Sequence, residues 1–304
     1  MNLRMITGAV TGAALASALA FSASAEQVTV SHLHGETTIE TNPETVVVFD
    51  LASLDTLDAL GVDVAAVPGG VLPSYLAEYG KGDHASVGTV FEPDYEAVAA
   101  LSPDLIIIGG RSSPKYDELS QIAPTIDLTV DATDFLASMR ENVETLGRIF
   151  EKEDEAASKL AALDESVAAL KEKAEDAGTG LLILTTGGRM STHGPDGRFA
   201  VLFRDFGITP AVEKIDSGMH GQAISHEFIL DTNPDWLFVI DRDAAIGREG
   251  TPARELLDND LVQKTTAWSE DQTVYLDAAH WYLVGGGLTA MQQSVDQITE
   301  ALDR

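Results

Sequence analysis

Between Lys152 and Ala177 the hydrophobic residues recur every three or four positions, and no Pro or Gly interrupts the segment before Gly178. The recurring residues are Ala156, Leu160, Leu163, Val167, Leu170 and Ala174. This spacing places them on one stripe of a helix, with Glu, Lys and Asp covering the other faces. At 1.5 Å per residue the helix would be roughly 39 Å long, which is longer than most helices of compact domains. The pattern predicts one long surface helix.

A short pattern is repeated on the two sides of this helix. Residues 96–111 read EAVAALSPDLIIIGGR, and residues 227–242 read EFILDTNPDWLFVIDR. Both begin with Glu, carry Pro-Asp seven residues on, continue with an apolar run and end with Arg. Each unit predicts a short helix, a turn and a buried parallel strand. Two related lobes, with the long helix as the spacer between them, would account for the repeat.

The remaining elements are predicted from alternation, apolar runs and turn residues. A hairpin is expected over 26–42, strands at 46–49, 62–67, 125–128, 180–185 and 274–276, and helices at 53–60, 116–122, 135–150, 199–206, 256–261 and 288–302, with a turn-rich loop at 187–197. Strands that alternate with helices indicate an α/β fold with mostly parallel sheets. We therefore expect an N-terminal lobe at 26–151, a linker helix at 152–177 and a C-terminal lobe at 178–304.

The first 25 residues have the features of a signal peptide. Arg4 supplies a positive start, the next residues are apolar and rich in Ala, and Ala23-Ser24-Ala25 matches a cleavage site. We expect cleavage before Glu26. The chain contains no Cys, so neither a disulfide nor a lipid anchor on Cys is available to it. The expected location is free solution in a bacterial periplasm.

The net charge is strongly negative, at −30, from 19 Lys and Arg against 49 Asp and Glu. Nucleic acid and anionic membrane surfaces are therefore poor partners. Catalytic motifs are also missing from the sequence. It has no Gly-x-Ser-x-Gly, no P-loop, no His-Glu-x-x-His and no dinucleotide fingerprint, and we expect a protein that is not an enzyme.

Three arginines are candidates for binding a ligand. Arg111 and Arg242 end the two repeat units, at the carboxyl ends of parallel strands, where open α/β sheets bind ligands. Arg198 lies in the loop at 194–198 that leads into a helix. Guanidinium groups bind planar, oxygen-rich anions through paired hydrogen bonds. The alternative is that arginines pair with acidic residues, and this is the interpretation for Arg204, Arg248 and Arg254.

Two further residues could contribute to a metal site. None of the seven histidines has a compact zinc-type spacing, but His220 is flanked by Gly218 and Gly221 in a predicted loop. Tyr282 follows Trp281 and precedes a run of three glycines. One His and one Tyr do not make a full site, yet they could complete one that a chelating ligand has half filled, and phenolate suits Fe³⁺. A core Tyr and a hydrogen-bonded loop His are the alternative.

Several blocks of the sequence resemble a known family. They are residues 109–111, 116–118 and 122–126 in the first half, and 220–221, 229–230, 233–235, 241–242, 257–259 and 281–283 with the following glycines in the second. These blocks are similar to those of the periplasmic siderophore-binding proteins of ABC importers, in which one long helix joins two lobes. The resemblance extends over essentially the whole mature chain. It is greatest to members that bind ferric catecholates, including tetradentate ones.

The resemblance implies a role for each candidate residue. Arginines 111, 198 and 242 would face catecholate oxygens, His220 and Tyr282 would ligate iron when the siderophore fills four positions, and Glu96 and Glu227 would dock on the permease. Each Glu also opens a predicted helix, and its alternative role is a favourable charge in the first turn, of about 0.3–1 kcal/mol. The resemblance implies no role for His280.

We therefore expect a periplasmic protein that captures a ferric siderophore of the catecholate type and delivers it to an ABC transporter. It would have no cofactor of its own, would bind Fe(III) as the siderophore complex, and would be a monomer without a membrane anchor. A haem, cobalamin or hydroxamate-siderophore carrier of the same architecture is the nearest alternative. A metal-dependent hydrolase that uses His220 and a structural envelope protein without a ligand are alternatives from other classes.

Overall fold

A computed structural model describes residues 26–82, 84–215 and 221–304. The predicted signal peptide and the candidate ligand His220 lie outside these ranges. Within them, no helix is both long enough and apolar enough to cross a membrane.

The first half of the chain forms a hairpin and a parallel sheet. The hairpin pairs β1 (Gln27–His32) with β2 (Gly35–Glu40) in antiparallel register. The sheet contains β3 (Val46–Val48), β4 (Ala66–Val67), β5 (Ala85–Ser86), β6 (Leu105–Ile108) and β7 (Thr125–Asp127). All its pairings are parallel, in the order β5-β4-β3-β6-β7. The helices are α1 (Leu51–Ala59), α2 (Tyr95–Leu101), α3 (Tyr116–Leu119) and α4 (Phe135–Ile149), with 3₁₀ turns at Ser74–Gly80 and Ser113–Lys115.

The long helix is present as α5 (Glu153–Ala174). Its buried residues are the six apolar residues of the predicted stripe. Three acidic residues occupy the first turn and two lysines the last, which matches the helix dipole at both ends. The stripe packs against α4 and against the closing helix of the chain.

The second half of the chain forms a mixed sheet. Its strands are β8 (Thr179–Thr186), β9 (Arg189–Thr192), β10 (Thr209–Pro210), β11 (Gln222–Ile224), β12 (Trp236–Asp241) and β13 (Thr273–Tyr275). The order is β11-β9-β8-β12-β13, and β10 also pairs with β8. The pairs of β8 with β10 and β12 and of β12 with β13 are parallel, whereas β9 is antiparallel to both of its neighbours.

The helices of this half are mostly short. They are α6 (Val201–Arg204), α7 (His226–Thr232), α8 (Arg242–Ala245), α9 (Ala253–Leu257), α10 (Thr266–Ser269) and α11 (Leu288–Leu302), with a 3₁₀ turn at Val262–Lys264 and a π-helix at Ala279–Val284. The α/β fold with two central sheets and flanking helices agrees with the prediction, and α11 has the predicted bounds.

Three local predictions were wrong. The loop expected at 187–197 contains β9, because Gly187 and Gly188, both with positive φ, form a two-residue hairpin turn between β8 and β9. The helix expected at 256–261 is α9, which ends at Leu257. The strand expected at 62–67 pairs only at 66 and 67.

The two repeat units have the same local structure. Helices α2 and α7 both end at a residue with left-handed backbone, Ser102 at φ 49° and Asn233 at φ 44°. The Asp that follows each end then accepts a hydrogen bond from the backbone at the start of a central strand, β3 or β8. Asp104 accepts from the backbone N–H of Thr45 at 2.8 Å, and Asp235 accepts from that of Thr179 at 2.7 Å.

The largest apolar core continues from one sheet to the other. It contains Leu54 of α1, Leu163 of α5, Leu182 of β8 and Val295 of α11. Helix α11 packs on both α5 and α1. Helices α5 and α11 therefore both join the two halves of the molecule. The boundaries of the lobes stay a prediction.

Candidate ligand-binding site

A cavity of about 520 Å³ lies between the first sheet and the second half of the chain. Three of its walls are residues 49–52, 109–111 and 128–130, which directly follow β3, β6 and β7. Residues 198–199 and 280–286 face them from the second half. The cavity is thus at the carboxyl ends of parallel strands, where α/β proteins bind ligands.

The π-helix at Ala279–Val284 presents Trp281 and Tyr282 to this cavity. Asp277 accepts from the backbone N–H of His280 at 2.9 Å and so holds the start of this helix. The helix ends at Gly285, whose φ is +64°. Short π-helices are rare and often occur at functional sites.

The three candidate arginines converge on Tyr282. Arg111 donates from Nη2 to the carbonyl of Tyr282 at 2.5 Å and from Nη1 to that of Leu283 at 3.1 Å. Arg198 donates to the same Tyr282 carbonyl at 2.8 Å, and Arg242 donates from Nε to the Tyr282 hydroxyl at 2.7 Å. Their guanidinium carbons lie 5.5, 4.4 and 5.3 Å from the centre of the Tyr282 ring. These contacts bring together residues from two loops and the first position of α8.

The cavity carries positive charge that nearby carboxylates do not neutralise by direct pairing. Among the described residues, neither Arg111 nor Arg198 has a carboxylate oxygen within 4 Å. Burial, followed by the charge of Arg198, lowers the pKa of Arg111. Arg204, in contrast, pairs with Asp196 as expected for a surface arginine. The arrangement at the cavity favours an anionic, oxygen-rich ligand.

Arg198 and Arg242 make the phenol of Tyr282 more acidic. Burial raises the pKa of Tyr282, but the hydrogen bond from Arg242 and the charges of Arg198 and Arg242 outweigh it, so the pKa is lowered from its ordinary value. A phenol with a lowered pKa is more readily available as phenolate, the form that binds a hard cation.

Not every predicted site residue lies at the cavity. Arg242 is not part of its wall and reaches the site through the hydroxyl of Tyr282. Glu96 and Glu227 are exposed in the first turns of α2 and α7. His280 does line the cavity, is 8% exposed and lies edge-on to Tyr75 at 5.6 Å.

The comparisons with known proteins agree with this fold. Residues 46–279 match the family model of periplasmic binding proteins. The chain belongs to this family. Periplasmic binding proteins capture a ligand without transforming it, so this chain is not an enzyme.

Relatives within the periplasmic binding proteins cover nearly the whole chain. The petrobactin-binding protein YclQ of Bacillus subtilis is 44% identical over 92% of this chain and 89% of its own. Its crystal structure has a TM-score of 0.88 and covers 92% of this chain and 99% of that one. The ferric-anguibactin-binding protein FatB of Vibrio anguillarum is 32% identical, over 89% and 86% of the two chains.

A solved structure adds a third comparison. The periplasmic catecholate-siderophore binding protein VctP of Vibrio cholerae is 35% identical to this periplasmic binding protein. Its structure has a TM-score of 0.86 and covers 90% of this chain and 100% of that one.

Sequence reasoning missed the apolar and acidic walls of the cavity. Phe49, Phe91, Val130 and Phe135 line it, and Phe91 is 59% exposed. Asp50 caps α1 by accepting from the backbone N–H of Ser53 at 2.9 Å, and burial raises its pKa. Residues 49–50 and 128–130 directly follow β3 and β7, and the tendency of ligands to bind beyond the carboxyl ends of parallel strands is the signal that points to them.

Proposed function

We propose that this periplasmic binding protein captures a ferric siderophore of the catecholate type and presents it to the permease of an ABC importer. The observation that carries the proposal is the convergence of Arg111, Arg198 and Arg242 around Tyr282 at the cavity. Catecholate oxygens are anionic acceptors in a planar pair, which suits the fork of donors on a guanidinium group.

The names of the relatives support this substrate class. YclQ is a petrobactin-binding protein, FatB binds ferric anguibactin and VctP binds catecholate siderophores. All three are named for siderophores, and the identity to each is above 30%. We infer that iron reaches this protein already chelated, and that the protein needs no cofactor of its own.

Each candidate residue would have a different role in binding the ferric siderophore. Arg111 and Arg198 donate to main-chain carbonyls at the cavity wall in this structure, and the same donors would be shared with catecholate oxygens. Arg242 would hold the Tyr282 hydroxyl in place and favour its deprotonated form. His220 and Tyr282 would bind iron directly when the chelator supplies only four donors.

Tryptophan quenching tests the proposal, because Trp281 lines the cavity. The protein is titrated with ferric complexes of a catecholate and a hydroxamate, and with haem. We expect strong quenching with the ferric catecholate, and Arg198→Ala should weaken binding at least tenfold. The matched control Arg254→Ala should leave binding unchanged, because Arg254 is exposed, lies over the Tyr275 ring and is not part of the cavity wall. Tight binding of the hydroxamate complex or haem, with Arg198→Ala as good as wild type, would favour the alternative carriers instead.

The iron ligands have a spectroscopic test of their own. A phenolate bound to Fe³⁺ absorbs visible light, so the loaded protein should show a band that Tyr282→Phe removes. His220→Ala should weaken binding but keep that band. A loaded Tyr282→Phe variant with an unaltered spectrum would mean that Tyr282 does not bind the metal.

We also propose how the protein is exported and how it docks on the permease. Residues 1–25 would direct export and be removed, which leaves a monomer in the periplasm with an N-terminal lobe at 26–151, a linker at 152–177 and a C-terminal lobe at 178–304. Glu96 and Glu227 are exposed on equivalent helices of the repeat. That placement supports their proposed docking on the permease.

A further inference from the structure

Helix α11 begins beside the ligand cavity, and its own sequence supplies no cap. The residue at the N-cap position is Gly287, which has no side chain to accept from the first backbone N–H groups of the helix. Such groups need partners when they are buried. One partner is Thr56 of α1, whose Oγ1 accepts from the N–H of Leu288 at 3.3 Å.

The main partner is Asp55, also on α1. Its Oδ1 accepts from the N–H of Thr289 at 2.7 Å, and its Oδ2 accepts from that of Ala290 at 3.1 Å. The hydroxyl of Tyr75 donates to the same Oδ2. Asp55 is fully buried, and no Lys, Arg or His among the described residues pairs with it.

The glycines before α11 allow this close contact. A Cβ on Gly287 would lie 2.5 Å from Cγ of Asp55, and one on Gly286 would lie 2.7 Å from Cγ2 of Val130. Both glycines are therefore packed against the first half of the molecule without room for a side chain. Together with Gly285, they connect the π-helix that carries Tyr282 to α11 along the chain, and the two helices also pack against each other.

We infer that Asp55 is a positioning residue for the ligand site. By capping α11 from α1, Asp55 fixes the position of the glycines at 285–287, and these in turn fix the positions of Trp281 and Tyr282 at the cavity. The inference rests on the proposed function only in its effect on ligand affinity. The position of Trp281 can be measured without any ligand.

The chemistry of the contact explains why a carboxylate is needed here. All three neighbours donate, namely the N–H groups of Thr289 and Ala290 and the hydroxyl of Tyr75. A carboxylate accepts from all of them, and its charge is favoured at a helix N-terminus. The side-chain amide of Asn has only one acceptor oxygen, so its NH₂ group would face at least one of these donors. The substitution Asp55→Asn keeps the size of the side chain and removes this complementarity.

The first experiment measures the position of Trp281 without ligand. Trp236 and Trp268 are replaced by Phe, so that Trp281, which is 6% exposed, is the only tryptophan. Quenching by acrylamide is then compared with and without Asp55→Asn. We expect at least a twofold larger quenching constant in the variant. The matched control is Asp58→Asn on the same helix, whose carboxylate accepts from the Tyr79 hydroxyl at 3.0 Å, and it should leave the constant unchanged.

The second experiment measures ligand binding by the otherwise wild-type protein. Asp55→Asn should weaken ferric catecholate binding about tenfold and shift the iron–phenolate band, whereas Asp58→Asn should do neither. If Asp55→Asn does not fold, Tyr75→Phe replaces it in both experiments, with a smaller change in the same direction expected. Quenching and affinity equal to wild type in the folded variant would overturn the inference.

The two proposals fail in different ways. If the wild-type protein binds no ferric catecholate, the proposed function is wrong, and acrylamide quenching of Trp281 still decides whether Asp55 positions the site. If the wild type binds and Asp55→Asn only lowers the melting temperature, the proposed function stands and the role of Asp55 is purely structural.

Discussion

The buried carboxylate of Asp55 should make stability depend on pH in a way that a single substitution can isolate. Burial raises the pKa of Asp55 from 3.8 to about 6, although the hydrogen bonds from Tyr75, Thr289 and Ala290 work in the opposite direction, and the charge of Asp58 adds to the rise. The carboxylate is thus harder to ionise in the folded protein than in the unfolded chain. The perturbation is Asp55→Asn, which is neutral at every pH.

The magnitude follows from the pKa difference. Because the pKa of Asp55 is higher in the folded protein than in the unfolded chain, the contribution of Asp55 titration to the unfolding free energy is complete below about pH 3.8. This contribution is lost as the pH rises through about 6. The shift of about 2 units corresponds to about 3 kcal/mol of unfolding free energy. About 2 kcal/mol of this should be lost between about pH 4.5 and 7.5. The carboxylate still caps α11 above this range.

Urea unfolding at a series of pH values is the assay. The unfolding free energy of the wild type minus that of Asp55→Asn should fall by about 2 kcal/mol from pH 4.5 to 7.5, since other carboxylates titrate alike in both proteins. His280, which contacts Tyr75 and has its pKa lowered by burial, is also common to both. Parallel stability curves over this range would show that Asp55 keeps an ordinary pKa, and the argument from burial would fail.

Three other predictions concern the spacer, the repeat and the docking residues. Leu163→Ala in α5 should lower the unfolding free energy by about 2–5 kcal/mol, because Leu163 is only 3% exposed and its removal leaves a cavity; chemical denaturation measures this. Asp235→Ala should cost about 1–3 kcal/mol in the same assay, because it removes the acceptor for the N–H of Thr179. The double substitution Glu96→Ala and Glu227→Ala should leave siderophore affinity unchanged and strongly reduce iron uptake by cells.

Each of these has a matched control or a result that would contradict it. Lys159→Ala on the exposed face of α5 and Asp231→Ala on the exposed face of α7 should change stability by less than about 0.5 kcal/mol. A buried-site variant no less stable than its surface control would refute the packing argument for that residue. Normal uptake by the Glu96/Glu227 double variant would remove these residues from the docking model.

Local features of the sequence were enough to predict much of the fold. The apolar stripe of α5 predicted which six residues the helix buries, because helical periodicity is a property of neighbouring residues. The Pro-Asp turns of the repeat predicted the two helix–turn–strand units. Their strand ends predicted a shared crevice for Arg111 and Arg242; both contact Tyr282, but only Arg111 lines the cavity. Residues 189–192 were wrongly predicted as part of a loop, because this four-residue strand is recognisable only from its pairing with β8 and β11.

The tertiary structure alone decided how the site is assembled. That Arg111, Arg198 and Arg242 share one acceptor residue, Tyr282, depends on two loops, the start of α8 and a π-helix packing together. No spacing in the sequence encodes this arrangement. The contact between Asp55 and the start of α11 joins residues 234 positions apart. Contacts at such separations form only when the sheets and long helices have packed, so the local pattern of either segment carries no sign of the other.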